Sequence, residues 1–242
     1  MNEKPENRPI RSISIAVKRS ARLALLGPES AGVRELWYVL HGYGQLAAPF
    51  IDDFRAIDDG ARLIVAPEAL SRFYEGDVVT RLHKNANVGA SWMTREDRES
   101  EISDYIAYLD TVHRTLLPRL SVRDEAPAVT VLGFSQGGAA AVRWVAAGNV
   151  RPKRLIVWGS EIPPEIDLAD PGSPLRKTET SLVIGSTDIF ATPKIVEKER
   201  ARLEAANFPY RFVSFTGGHR IDDDTLKSFA GMSTDFDATG AI

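Results

Sequence analysis

Short apolar runs alternate along this chain with longer segments in which apolar residues recur every three or four positions. The short runs are five or six residues long and rich in β-branched side chains, which is typical of strands buried on both faces of a sheet. They predict strands at 35–40, 62–66, 128–132, 154–158, 181–185 and 211–215.

The longer segments predict the helices that connect these strands. An apolar stripe runs along residues 99–117, and Pro118 is expected to end that helix. Thr192 and Pro193 have the order of an N-cap and a first helical residue. Helices are expected at 45–57, 99–117, 136–147, 193–206 and, in a short form, from Asp222 onward.

The N-terminal part of the chain has a different pattern. Residues 11–18 alternate apolar and polar side chains, as a half-buried strand does, and 22–26 is a candidate hairpin partner. With the strand and helix alternation, this predicts an α/β protein with a mostly parallel sheet, an antiparallel N-terminal edge and helices on both faces. We expect residues 1–9 to be a disordered tail and 10–242 to form a single domain.

Composition and charge narrow the class of protein. The 242 residues carry a net charge of −3, which does not favour a nucleic-acid-binding surface. The absence of cysteine removes thiolate nucleophiles and cysteine-based metal sites. No apolar run approaches the roughly 18 residues of a membrane span, and the polar N-terminus lacks the pattern of a secretory signal. We therefore expect a cytoplasmic protein without a membrane span, as a monomer or homodimer.

The predicted strand ends carry the candidate chemistry, because ligands bind at the carboxyl ends of strands in an open α/β sheet. The strand at 128–132 runs into Gly133-Phe134-Ser135-Gln136-Gly137, which matches the G-x-S-x-G nucleophile elbow. In that motif a tight turn between strand and helix holds the serine hydroxyl clear of the sheet. An ordinary glycine-rich turn is the structural alternative.

A nucleophilic serine needs a base, and the base needs an acid to orient it. Of the four histidines, only His219 follows the last predicted strand, and its alternative role is to cap the next helix. Asp188 follows the strand at 181–185, which gives the chain order Ser, Asp, His expected on such a sheet. Asp167 and Asp170, in the preceding loop, are the alternative acids.

Attack by a serine on a carbonyl also needs donors for the oxyanion. Gln136 follows the serine at the start of a helix, so its backbone N–H and the helix dipole favour negative charge there. The second donor is expected from the His41-Gly42-Tyr43-Gly44 loop after an earlier strand, with the Tyr43 N–H as first choice. His41 is then a structural residue rather than a base.

Taken together, these stretches resemble the phospholipase/carboxylesterase family of α/β-hydrolases, which includes acyl-protein thioesterases. ASWM resembles the Ser-Trp-Phe stretch that the family carries before its long helix. The resemblance implies an α/β-hydrolase fold, a triad of Ser135, Asp188 and His219, and oxyanion donors at Tyr43 and Gln136. The matching segments are LHGYGQ (40–45), ASWM (90–93), VLGFSQGGAAA (131–141), GSTDIF (185–190) and GGHRI (217–221).

Two departures from the family pattern affect the expected pocket. Gln45 stands where family members often have an acidic residue, and residues 67–92 form a longer and more basic segment. Those basic residues could attract an anionic substrate, but we expect them to pair with nearby acidic residues. Aromatic, Met and Ile residues in loops near the site are candidates for a substrate pocket. They are Phe73, Tyr74, Trp92, Met93, Ile189 and Phe190.

The sequence thus predicts a serine carboxylesterase that hydrolyses small-molecule carboxylic esters through an acyl-enzyme. The alternatives are a thioesterase or lysophospholipase acting on longer acyl chains and a non-catalytic binding protein on the same scaffold. We expect no cofactor and no metal site. The acidic run at 222–224 starts a helix, and consecutive helical side chains do not converge on one ion.

Overall fold

The structure, a computed structural model, describes residues 10–81, 83–122 and 125–231. The expected tail at 1–9 and the last part of the expected domain, 232–242, lie outside the described residues. The described chain contains nine strands. They are β1 (Leu23–Leu26), β2 (Glu35–Leu40), β3 (Arg62–Pro67), β4 (Ser71–Tyr74), β5 (Val88–Ser91), β6 (Ala128–Phe134), β7 (Arg154–Trp158), β8 (Glu179–Gly185) and β9 (Arg211–Phe215).

The same residues contain six α-helices and two 3-10 helices, Ile51–Ile57 and Pro174–Lys177. None of the helices in the described ranges is both long and apolar enough to cross a bilayer. The α-helices are α1 (Ala47–Phe50), α2 (Val78–Arg81), α3 (Arg98–Leu120), α4 (Gln136–Ala147), α5 (Pro193–Ala205) and α6 (Asp223–Gly231).

Seven of the strands form one sheet in the order β1-β3-β2-β6-β7-β8-β9. β1 pairs with β3 in the antiparallel sense, and every other pair in this sheet is parallel. β4 and β5 form a separate antiparallel hairpin. This order confirms the predicted mostly parallel sheet with an antiparallel N-terminal edge, and it is consistent with the α/β-hydrolase fold.

Side chains that alternate along the central strands build a hydrophobic core on each face of the sheet. In β2, Leu36 and Leu40 belong to the core covered by α3, α4 and α5. Trp37 and Val39, between them, belong to the core covered by α1 and α6. Because both sets are fully buried, the strand needs no polar position, which explains the continuous apolar run.

The structure differs from three local predictions. Residues 11–18 form no strand, and Ile13 is 87% exposed, because β1 pairs with β3 and leaves this segment without a hydrogen-bonding partner. The helix expected at 45–57 is α1 followed by the 3-10 helix Ile51–Ile57. Helix α3 continues two residues past Pro118, since a proline in the last turn removes only one helical hydrogen bond.

Candidate active site

Ser135 occupies a sharp turn between the central strand β6 and helix α4. Its backbone has φ 53° and ψ −121°, a conformation that residues with a side chain rarely adopt. Two hydrogen bonds hold the turn: the Ser135 N–H donates to the Trp158 carbonyl at 2.8 Å, and the Gly138 N–H donates to the Ser135 carbonyl at 2.9 Å. The elbow is thus fixed to the neighbouring strand as well as to its own helix.

The glycines on either side of Ser135 are required by the close approach of backbone segments. A Cβ atom on Gly133 would overlap the Gly137 carbonyl, and a Cβ atom on Gly137 would overlap the Leu40 carbonyl at the end of β2. Helix α4 therefore packs directly against two strand ends. This crowding gives the G-x-S-x-G spacing a physical cause at this site.

Asp188 and His219 meet at the carboxyl ends of β8 and β9. His219 Nδ1 lies 2.7 Å from Asp188 Oδ2, and the Asp188 side chain is only 1% exposed. The second carboxylate oxygen accepts the Phe190 N–H at 2.9 Å. Because a carboxylate can only accept, Nδ1 carries the proton of the neutral imidazole and Nε2 is left as the proton acceptor.

The imidazole of His219 is held between aromatic rings. Its ring centroid lies 4.7 Å from that of Phe134 and 4.8 Å from that of Phe190. Gly159, at φ 60° directly after β7, leaves space beside it, because a Cβ atom there would lie 2.9 Å from His219 Cε1. The ring is therefore confined on several sides.

Ser135 lies in the same small region, since Phe134 precedes it and its N–H bonds to the residue before Gly159. The structure forms no hydrogen bond between the described residues Ser135 and His219. Catalytic hydrogen bonds are often long in substrate-free enzymes and shorten when substrate binds. Asp188 and His219 are thus in hydrogen-bond contact with each other, and Ser135 lies beside them.

The two expected oxyanion donors also lie at this edge of the sheet. Within the described ranges, neither the Tyr43 N–H nor the Gln136 N–H is used in a hydrogen bond. The loop that carries Tyr43 is held on both sides: the Gly42 N–H donates to Gln45 Oε1 at 2.8 Å, and the Gly44 N–H donates to the Ala90 carbonyl at 2.9 Å.

His41 is buried beneath this loop and is positioned as a structural residue. Its Nε2 accepts the Ala69 N–H at 3.0 Å, so the other nitrogen, Nδ1, donates to the Gly42 carbonyl at 2.8 Å. Burial lowers the pKa of His41, which favours this neutral form. The Trp92 indole N–H donates to the His41 carbonyl at 2.8 Å. Because Trp92 directly follows β5, this bond connects the end of β5 to the loop after β2.

Three residues shape the site in ways that the sequence reasoning did not foresee. The side-chain amide of Gln136 accepts the Trp92 N–H at 3.0 Å and donates to the Met93 carbonyl at 2.8 Å. Gln45 holds the loop that carries Tyr43, and Gly159 makes room for the histidine ring. The sequence signals for these residues were the position of Gln136 after the serine, the departure from the family pattern at Gln45, and a glycine at 159 directly after a predicted strand.

A cavity of about 260 Å³ opens beside Ser135 and Gln136, between α5 and strands β8 and β9. Of the six residues expected to form a pocket, Phe190 lines this cavity. Its apolar walls are formed by Leu182, Ile184, Phe190, Ile195, Val196 and Phe212.

The other five expected pocket residues lie elsewhere around the site. Trp92 is buried by its contact with His41, and Met93 packs against the core on the α3 side. The remaining three lie at the surface or on the β4–β5 hairpin. Phe73 stacks on Tyr43, and Tyr74 and Ile189 are 56% and 77% exposed.

Basic residues of the long segment and of the residues that follow it pair in part with acids, as expected. Arg72, within the segment, pairs with the buried Glu68 at 2.6 Å. Arg98 pairs with Glu99 at 2.5 Å and with Glu165 at 2.6 Å. This segment is therefore built into the surface of the fold by ion pairs.

Comparison with known proteins agrees with this fold. The family model described as Serine hydrolase (FSH1) matches residues 37–225, which is most of the chain. The protein therefore belongs to this family of serine hydrolases. Comparison with curated protein sequences gave no match.

Solved structures with a similar fold include several esterases. Esterase PE8 is 22% identical with a TM-score of 0.63, over 88% of this chain and 97% of that one. A phospholipase/carboxylesterase from Dyadobacter fermentans is 18% identical with a TM-score of 0.59, over 89% and 97%. A carboxylesterase from Mesorhizobium loti is 17% identical with a TM-score of 0.63, over 87% and 92%. These likenesses support the α/β-hydrolase fold and the resemblance noted in the sequence.

Proposed function

We propose that this serine hydrolase is a carboxylesterase in which Ser135, His219 and Asp188 act as the catalytic triad. The observation that carries the proposal is the 2.7 Å contact between His219 Nδ1 and the buried Asp188 carboxylate, at the sheet edge where the strained Ser135 turn also lies. Strain of this kind is maintained in proteins where function requires it.

In the proposed reaction, His219 Nε2 takes the Ser135 proton as Oγ attacks the ester carbonyl carbon. Asp188 stabilises the imidazolium that forms and keeps the ring in its orientation. The imidazolium then gives its proton to the departing alcohol, which leaves an acyl group on Ser135. A water molecule, deprotonated by the same imidazole, attacks the acyl carbon; the bond between this carbon and Ser135 Oγ breaks, Oγ takes the proton back from the imidazolium, and the acid is released.

The negative charge on the carbonyl oxygen is stabilised by the backbone N–H groups of Tyr43 and Gln136. Two observations support this role: both N–H groups are unused in the described ranges, and Gln136 starts α4, where the helix dipole is positive. Donors of this kind contribute roughly 3 kcal/mol each to transition-state stabilisation in serine hydrolases.

The proposal is tested by replacing the nucleophile. Ser135→Ala should abolish p-nitrophenyl acetate hydrolysis and labelling by a fluorophosphonate probe, with an unchanged circular dichroism spectrum. Ser160→Ala is the matched control, because Ser160 lies in the wall of the same cavity but outside the elbow. Activity retained in Ser135→Ala would refute the assignment, and wild-type protein that resists the probe would favour a non-catalytic binding role.

A thioesterase or lysophospholipase acting on longer acyl chains is the second candidate. The observation that favours it is the apolar wall of the cavity beside Ser135. Matched ester and thioester substrates of increasing acyl length separate the candidates by their kcat/KM values. A preference for acetyl and butyryl oxygen esters supports the first candidate, and a preference for long acyl chains, in thioesters or in oxygen esters, supports the second.

A further inference from the structure

The cavity beside Ser135 extends away from the elbow along helix α5. Because β8 and β9 are parallel neighbours, the helix that connects them must run back from the carboxyl ends of the strands toward their amino ends. Ile195 and Val196 line the cavity from the first turn of α5, and Arg200 lines it one turn later. Arg200 therefore lies about 6 Å further along the helix than Val196.

The residues that strands β8 and β9 contribute to the cavity also show that it extends from the carboxyl ends of the strands toward their amino ends. Ile184 lies near the carboxyl end of β8, whereas Leu182 lies two residues further into the sheet and pairs with Phe212 on β9. The Arg200 guanidinium stands over the Phe212 ring, 5.3 Å from its centroid. The cavity thus begins at Ser135, has apolar sides, and ends at a cation.

The guanidinium of Arg200 forms only weak polar interactions with the described part of the protein. Its one ion pair in the described ranges is a long contact of 3.9 Å with Glu204, whose side chain is 62% exposed. Exposed pairs of this length contribute little to stability. A guanidinium has five N–H donors, and among the described residues none of those of Arg200 has a hydrogen-bond acceptor.

The acids near the cavity do not neutralise this cation. Glu199 is buried, and its carboxylate is occupied by the Ile162 N–H at 2.9 Å and by Arg202 at 3.0 Å. Glu161 also lines the cavity, but its side chain is exposed and forms no ion pair with Arg200 among the described residues. The far end keeps its positive charge.

We propose that the cavity binds the acyl part of the substrate and that this acyl group ends in a carboxylate, as in a monoester of an aliphatic dicarboxylic acid. This inference rests on the proposed function. The acyl group stays bonded to Ser135 in the acyl-enzyme, and Ser135 and Gln136 form the wall where the cavity begins. The methylene chain packs between α5 and β8, and its distal carboxylate meets the fork of Arg200.

The first test compares matched acyl groups in the wild-type enzyme. Ethyl hexanoate and monoethyl adipate have the same chain length and differ only in the distal carboxylate. We expect kcat/KM to be at least about tenfold higher for the monoester, which is the effect of a hydrogen bond between charged groups. Monoethyl esters from succinate to suberate locate the chain length that reaches Arg200.

The second test removes the cation. Arg200→Leu should abolish the preference for the charged ester, measured as the ratio of kcat/KM for monoethyl adipate to kcat/KM for ethyl hexanoate. Lys198→Leu is the matched control, since it removes the same charge from the same helix outside this cavity. If circular dichroism shows that Arg200→Leu does not fold, the same comparison of charged and uncharged esters is made with Arg200→Gln, which also removes the positive charge.

The outcomes separate this inference from the proposed function. Hydrolysis that depends on Ser135 but shows no preference for the charged esters overturns the inference and leaves the esterase proposal standing. An equal effect of Arg200→Leu and Lys198→Leu on the preference also overturns it. If the wild-type protein hydrolysed none of these esters in a reaction that depends on Ser135, the result would instead contradict the proposed function.

Discussion

The side-chain oxygen of Gln45 accepts the backbone N–H of Gly42 at 2.8 Å and so fixes the loop that carries Tyr43. A glutamate side chain would offer an acceptor at the same distance from the backbone, and the Gln45 amide nitrogen has no hydrogen-bond partner among the described residues. The role of Gln45 is therefore to accept a hydrogen bond, and its amide nitrogen is dispensable for that role.

Replacing Gln45 separates these two properties. Gln45→Ala leaves the Gly42 N–H without its acceptor and should lower kcat by about tenfold with little change in KM, because the Tyr43 N–H loses its orientation. Gln45→Glu should retain most of the activity. Steady-state kinetics on p-nitrophenyl acetate measures both, and equal kcat values for Ala and wild type would show that the loop is held by other contacts.

Gly159 should be essential for activity and much less so for folding. Gly159→Ala places a methyl group 2.9 Å from His219 Cε1, and a displacement of the ring by about 1 Å costs roughly a hundredfold in kcat. Gly60→Ala is the control, because Gly60 also has a positive φ but has open space around it. Both variants should lose similar thermal stability, and only the first should lose activity.

The side-chain amide of Gln136 should support stability. Gln136→Ala leaves the Trp92 N–H without its acceptor and removes one of the two donors to the Met93 carbonyl, the other being the Ser91 hydroxyl, at a cost of about 1–2 kcal/mol, or a few degrees in Tm. In Gln136→Glu the carboxylate can still accept the Trp92 N–H, but its second oxygen faces the Met93 carbonyl oxygen. Because two acceptors repel each other, this variant should not restore Tm. A glutamate variant as stable as wild type would contradict this geometry.

Glu165 should make acid stability depend on pH. Partial burial raises its pKa, but hydrogen bonds from Arg143 and Arg98 outweigh burial and lower the pKa of Glu165 from 4.5 to about 2. The stabilisation is therefore complete above about pH 4.5 and is lost as pH falls toward 2.

Thermal melts of Glu165→Gln test this dependence. Since Glu165 is 39% exposed, solvent screening limits the difference in Tm from wild type to about 2 °C at neutral pH. That difference should shrink as pH falls from about 4.5 to 2. Glu161→Gln removes a charge from the exposed surface nearby and should show no such trend, and a constant difference for Glu165→Gln would argue against the network.

The parts of the site that could be predicted from sequence are those fixed by strand ends. The apolar runs locate β6, β8 and β9, and the residues that follow them must lie at one edge of a parallel sheet. Ser135, Asp188 and His219 were named on this basis, and the 2.7 Å contact between the last two agrees with it.

The parts that could not be predicted depend on how elements pack. The cavity is formed by one face of α5 against β8 and β9, and periodicity alone does not reveal that this face leaves a space. Trp92 is expected in a pocket because of its position in a loop. In the structure its side chain is buried instead, and its indole N–H donates to the His41 carbonyl. The strand expected at 11–18 failed because alternation does not specify a partner strand.

Phe134 connects His219 to the interior of the protein through a single aromatic ring. Its centroid lies 4.7 Å from that of His219 on one side and 6.2 Å from that of Phe50 on the other. Phe50 in turn contacts Phe54 within the core covered by α1 and α6. The position of the His219 ring therefore depends on packing in that core, so that a core substitution that shifts Phe50 is expected to shift His219 as well.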